Sequence, residues 1–367
     1  MNFDFSEDQK LLSDQVKRFL DDASPPMIVR EALETGTRCS EKVWQGLGEM
    51  GLIGTVIPEQ YGGTGAGYLE LCLVAQQLGA HIAAVPFGST VYLVSEALLR
   101  HGSEPQKANW LTKIAAGEVK AAVASVETLS QLCEAEIATT VEDGVLSGTK
   151  IVVSDGTVAD LFLVIAKEGK DTGLYLVQPG KGVEVTSVDS VDLTRDTAHV
   201  CFNQAPCELL EGAGWPAYEA LLDRAAVLAA FEQLGLAQSA IDMAVGYANE
   251  RFAFGRAIGS FQAIKHMLAD MYVALKLAEN NCYYAAWALA NEADELPLAA
   301  ATARVGATQA SQLCAKDNIQ VHGGMGFTWE FDCHLYYRRA NYMALELGSL
   351  SQWEKKLVGA LPAVAVA

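Results

Sequence analysis

Glu250-Arg251-Phe252-Ala253-Phe254-Gly255-Arg256, followed by Ile258-Gly259-Ser260-Phe261-Gln262, interrupts two long helical patterns, one over roughly 217–250 and one over 260–291. Before the break, Leu234, Ala237, Ile241, Val245 and Ala248 recur on one stripe at near-3.6 spacing, the pattern of an amphipathic helix. The joint thus presents an arginine and backbone amides together at a helix junction, which suits a diphosphate. Further on, Gln320-Val321-His322-Gly323-Gly324-Met325-Gly326-Phe327-Thr328 closes a third pattern over 297–318, and a fourth runs near 333–346 past His334 and Arg338-Arg339. Paired glycines let a backbone come close to a flat or charged ligand, and Gln320 can donate and accept hydrogen bonds there. Four long helices with short joints predict a four-helix bundle.

Upstream of this bundle the texture differs twice. Between about 119 and 212 come β-branched runs, Val119–Val126, Ile137–Val141, Val145–Ser154, Leu161–Ala166, Gly173–Val177 and Ala198–Phe202, with Asp143-Gly144 as a tight hairpin turn. Residues 1–118 are helical again: Ser6 and Gln9 form a capping box ahead of Leu11, Leu12, Val16, Phe19 and Leu20, and helices follow near 40–50, 67–79, 89–101 and 104–116. The expected fold is α+β but mostly α, as an N-terminal helical domain (1–118), a central β-domain (119–212) and a C-terminal helical bundle (213–367).

Composition limits the function. Of 367 residues, 51% are hydrophobic, enough for a large core, and the formal net charge of −19 disfavours a broad grip on nucleic acid. No uncharged run is long enough to span a membrane, and MNFDFSEDQK lacks a signal-peptide pattern, so the expectation is a cytoplasmic protein. The eight cysteines show neither C-x-x-C pairing nor metal-ligand spacing, which predicts reduced thiols and no metal.

In their order and separation, these motifs resemble the acyl-CoA dehydrogenase family, and the loop Pro58-Glu59-Gln60-Tyr61-Gly62-Gly63-Thr64-Gly65 is similar to that family's tyrosine-diglycine loop. The resemblance covers nearly the whole chain and implies the three-domain order read above. It also implies FAD held between subunits, with Arg251, Phe254, Gly255, Gln262, Gln320, Gly323 and Gly324 reaching a flavin bound mainly by a neighbour. The implied reaction is α,β-desaturation of an acyl-CoA thioester, the implied assembly a tetramer and the implied acceptor an electron-transfer flavoprotein. His322 reads first as a structural histidine.

The chain departs from the family pattern where chemistry is done. A carboxylate must take the α-proton while a hydride passes to the flavin. The position the resemblance gives that base is Leu347, with Glu346 one residue earlier; a second family position falls on Ala225, with Glu232 two turns on. Glu346 and Glu232 are thus the candidates for a relocated base. The β-domain run Ser125-Val126-Glu127-Thr128-Leu129-Ser130-Gln131 lacks the family's proline and Gly-Ser-Asp, and Lys150-Ile151-Val152 lacks its tryptophan. Contacts toward a neighbour's flavin are kept while those for the chain's own are lost, as in the accessory chain of heteromeric dehydrogenases of bacterial steroid side-chain degradation. The favoured expectation is therefore an FAD-completing subunit of a heterotetramer without its own glutamate. The alternatives are a self-sufficient homotetramer with a moved base and a non-catalytic structural protein of the same fold.

Overall fold

Ser6 accepts a hydrogen bond from the Gln9 amide and Gln9 reaches back to the Ser6 amide, closing the capping box that opens α1 (Glu7–Ala23). The computed structural model of the chain describes residues 5–129 and 132–361. After α1 come α2 (Pro26–Thr35), α3 (Glu41–Glu49), α4 (Tyr68–Ala80), a π-helical stretch (Gly88–Ser95) running into α5 (Glu96–His101), and α6 (Glu104–Ala115). The strands are β1 (Ala121–Ala124), β2 (Thr140–Glu142), β3 (Val145–Ser154), β4 (Leu161–Glu168), β5 (Asp171–Val177), β6 (Val183–Ser187) and β7 (Thr197–Leu209). Then follow α7 (Trp215–Glu250), the short strands β8 (Phe252–Ala253) and β9 (Arg256–Ala257), α8 (Gln262–Ala290), α9 (Leu296–His322), α10 (Cys333–Glu346) and α11 (Leu350–Ala360). The helical, β and helical order is the expected one. Helices α2 and α11 and strands β6, β8 and β9 are additions to the reading, and the single helix expected over 89–101 is π-helical in its first half.

Two compact units emerge: Met1–Arg30, Tyr68–Ala83 and Ala226–Ala367 form one, Glu31–Gly67 and Ala84–Ala225 the other. In the second, β4, β2, β3, β7 and β5 pair in that order and β5 returns to β4, so the strands form a closed ring that leaves few open edges. β1 adds parallel to β4, and β6 adds antiparallel to β7. Alternate residues point inward and build an apolar core that includes Phe162, Val164, Val200 and Phe202, with the two phenylalanine rings edge to face at 6.1 Å. Asp143 and Gly144 take φ of 50° and 75°, the turn expected between β2 and β3. Tyr61 of the tyrosine-diglycine loop is buried and donates to Glu104 at 2.7 Å, so this loop is pinned by its own unit.

The first unit is a helical bundle rich in small residues. Ala299, Ala300, Ala303, Ala307 and Ala310 are buried along α9. Small side chains also set the crossing of α4 and α7. A Cβ placed on Gly79 would overlap the backbone of Glu232, and one on Gly235 would overlap that of Gln76. Each glycine thus lies on the other helix's carbonyl, three residues before the other glycine, and the crossing depends on both lacking a side chain.

Candidate active site

Tyr247 and Arg251 are four residues apart at the end of α7, a spacing that puts both on one face. The helix stops at Glu250, and β8 turns back on β9 through Phe254 and Gly255, whose φ values of 53° and 80° make a tight two-residue hairpin. This joint fixes Arg251: its amide donates to the Tyr247 carbonyl at 2.8 Å and its carbonyl accepts from the Ile258 amide at 2.8 Å. The arginine is exposed, and its guanidinium has no ion-pair partner among the described residues.

Where α9 ends, the Gly323 amide donates to the Gln320 carbonyl and Gly323 adopts φ 59°, ψ −137°, a conformation that a residue with a Cβ strains to reach. A Cβ on Gly323 or Gly324 would meet nothing within 4 Å, so both face open space. That space is a cavity of about 330 Å³ lined by Tyr247, Arg251, Ile258, Val321, His322, Gly323, Gly324 and Met325. Three of the expected cofactor residues, Arg251, Gly323 and Gly324, therefore meet at one place. Phe254 (96% exposed) projects from the hairpin, Gln262 opens α8, and Gln320 is exposed on the last turn of α9; none of these, nor Gly255, is among the cavity walls.

His322 is one of the walls. Its ring stacks on Tyr247 with centroids 4.0 Å apart and meets Phe331 at 5.7 Å, and its Nδ1 lies 2.8 Å from the Asn318 carbonyl oxygen. Burial pulls its pKa below the ordinary histidine value, against the smaller upward effect of the Asn318 bond. Tyr247 was not singled out from sequence. The signal available for it was its position one turn before Arg251.

The two base candidates lie elsewhere in the bundle. Glu232 is buried with a carboxylate oxygen 4.0 Å from Nη1 of Arg339, which is itself fully buried and donates to the carbonyls of Ala83 and Ile82 at 3.1 and 3.3 Å. Arg304, 1% exposed, donates to Gln233 at 2.8 Å and to the Met343 carbonyl. Burial lowers its pKa to about 10 against the pull of the Glu346 and Glu232 carboxylates. Both glutamates therefore serve as counter-charges to guanidinium groups that burial would otherwise leave uncompensated.

In the other unit, the Glu127 carboxylate is occupied by its own chain. It accepts from the Ala138 amide at 2.7 Å, the Thr139 amide at 3.0 Å, the Thr139 hydroxyl at 2.7 Å and the Lys150 ammonium at 2.7 Å. Burial pushes the carboxyl up, but these bonds outweigh it and hold its pKa below the ordinary value; burial draws Lys150 down to about 8 despite Glu127. Just beyond, β3 bulges, and Val152 takes φ 53° with its side chain half exposed. Ser130 and Gln131 of the stretch that departs from the family pattern lie outside the described residues.

Two family models match: acyl-CoA dehydrogenase, N-terminal domain, over residues 6–118, and acyl-CoA dehydrogenase, C-terminal domain, over residues 212–351. Acyl-CoA dehydrogenase IpdE2 of Mycobacterium tuberculosis is 32% identical over 346 residues, 94% of each chain. The chain belongs to the acyl-CoA dehydrogenase family. Among solved structures, a chain of the ChsE4-ChsE5 complex from Mycobacterium tuberculosis is 29% identical with a TM-score of 0.91, covering 99% of this chain and 100% of that one. A chain of the Tcur3481-Tcur3483 steroid ACAD G363A variant is 26% identical with a TM-score of 0.87, covering 96% and 97%. This acyl-CoA dehydrogenase is thus an FAD-family oxidoreductase. Its cavity fits part of that cofactor: an unpaired guanidinium and an open glycine backbone suit a diphosphate, and about 330 Å³ is at the low end of the ~300–1,000 Å³ usual for a whole small-molecule site. Among the described residues, no helix is long and apolar enough to cross a membrane.

Proposed function

We propose that this chain is the FAD-completing subunit of a heteromeric acyl-CoA dehydrogenase and has no catalytic base of its own. Arg251 carries the reading. It is an exposed, unpaired cation beside a glycine-floored cavity, placed to meet a diphosphate that arrives with another chain. Bound FAD supplies the hydride acceptor for α,β-desaturation of the acyl-CoA thioester. Around it, this chain contributes Arg251, the backbone at Gly323 and Gly324, and the exposed Phe254-Gly255 turn, with Gln262 and Gln320 as further cofactor contacts.

Two features support the lack of a base, and a third the loss of the chain's own flavin contacts. Leu347 occupies the position where a carboxylate is expected, and a leucine can take no proton. Glu232 is sequestered against Arg339, and Glu346 contributes charge to Arg304. Glu127 has its hydrogen-bonding capacity taken up by Lys150, Ala138 and Thr139, which supports the loss of the chain's own flavin-ring contacts.

The proposed assembly is a heterotetramer with a second acyl-CoA dehydrogenase chain that carries the base; it works in the cytoplasm and passes electrons to an electron-transfer flavoprotein. The complex-forming and steroid-directed proteins to which the chain is similar support a bulky acyl-CoA such as a steroid thioester as substrate. The test is the visible flavin spectrum of the chain purified alone and after co-expression with such a partner. Colour and desaturation only with the partner support the proposal; a yellow protein active alone establishes a self-sufficient homotetramer instead, and no colour in either state establishes a structural protein.

A further inference from the structure

One wall of the cavity, His322, has a polar atom that the diphosphate reading leaves unused. The Asn318 carbonyl oxygen 2.8 Å from Nδ1 can only accept, so the ring proton is on Nδ1 and Nε2 carries the lone pair. That Nε2 has no hydrogen-bond partner among the described residues. Nor can the ring swing to find one, because it is held by the Asn318 bond, by the face of Tyr247 at 4.0 Å and by the edge of Phe331 at 5.7 Å. Burial disfavours the charged imidazolium. The cavity walls therefore include two different groups, the exposed cation of Arg251 and a held imidazole whose Nε2 acceptor is unused.

Phosphate oxygens are acceptors and would be repelled by a second acceptor, so the group facing Nε2 must be a donor. On a dinucleotide the donors nearest the diphosphate are the hydroxyls of the sugars on either side of it. We infer that His322 is a ligand-binding residue whose Nε2 accepts a hydrogen bond from a sugar hydroxyl of the dinucleotide held by Arg251. This rests on the reading of the cavity as part of an FAD site. It gives His322 a role beyond supporting the end of α9, and it makes the cavity selective for the sugar as well as for charge.

Two substitutions separate binding from support. In His322→Asn the shorter amide can still donate to the Asn318 carbonyl where Nδ1 does, but nothing reaches the Nε2 position. In His322→Gln the amide oxygen reaches the Nε2 position while the bond to Asn318 is lost. FAD affinity is measured by flavin fluorescence on the apo form of the assembled complex. The expected result is about a fivefold to tenfold loss for His322→Asn, the worth of one net hydrogen bond, and near-native affinity for His322→Gln. Native affinity in His322→Asn with loss in His322→Gln would overturn the inference, leaving the histidine a helix-end support. With ADP and FMN as separate probes, the one weakened by His322→Asn identifies which sugar donates; weakening of neither also overturns it. Arg251→Ala keeps the two readings apart. Unchanged FAD affinity there sinks the cavity reading itself, whereas a loss there beside native affinity in His322→Asn sinks only the inference about His322.

Discussion

Gly235→Ala should destabilise the helical unit although alanine is the better helix former. At Gly235 a Cβ would lie 2.8 Å from the Gln76 carbonyl carbon and 2.9 Å from the Ala80 nitrogen; at Gly79 it would lie 2.6 Å from the Glu232 carbonyl carbon. Ordinary contacts of this kind are 3.4–4 Å, and the obstacles are backbone atoms that no rotamer change can move. The tightest overlaps are with the carbonyl oxygens of Gln76 and Glu232, so the helices must part by roughly 1.5 Å, which costs on the order of 3 kcal/mol for an overpacked core. Alanine returns about 1 kcal/mol through helix propensity, so the net loss is about 2 kcal/mol for either substitution. Because the two overlaps are relieved by the same separation, Gly79→Ala with Gly235→Ala should cost less than the sum of the two singles, with a coupling of about 1 kcal/mol. Denaturant unfolding of the two single variants and the double reads this directly. Native stability in either single variant, or strict additivity, would refute the reciprocal crossing.

Glu127→Gln leaves the fully buried Lys150 ammonium without its counter-charge and should cost about 3–5 kcal/mol in the same assay. The Lys150 pKa is drawn down to about 8 from 10.5, so the folded state disfavours its charged form; the penalty is full below about pH 8 and is relieved as pH rises toward 10.5. The melting temperature of Lys150→Met should accordingly lack the rise that this lysine contributes between about pH 8 and 10, and an unchanged pH profile would contradict the assignment. Arg304→Met removes a buried guanidinium that satisfies Gln233 and the Met343 carbonyl and should lower stability by about 3 kcal/mol, checked by thermal unfolding.

How far the sequence carries can be judged residue by residue. Features encoded within a few positions were legible: the Ser6 and Gln9 capping box, the Asp143-Gly144 turn and the long stripe of α7 all depend on near neighbours. Helix α2 was missed because Pro25-Pro26 reads as a break, whereas Pro26 occupies the first turn, where a missing amide costs nothing. Strand β6 is hard to read because it has only five residues and its alternating Val183 and Val185 are only partly buried against the core. At the candidate site, the arginine and the diglycine were readable as motifs, and the Asn318 bond to His322 is a local i,i+4 contact. The Tyr247 stack joins residues 75 positions apart only through the bundle, and the pairing of Glu232 with Arg339 is equally non-local. Such contacts come from tertiary packing, which periodicity cannot reveal.

The most direct test is the FAD affinity of the assembled two-chain enzyme carrying Arg251→Ala in this chain. Loss of one charge-assisted contact of about 1.5–3 kcal/mol predicts a drop of roughly tenfold to a hundredfold, with the fold and the assembly unchanged. Native flavin affinity in that variant would mean that this chain does not complete the partner's cofactor site.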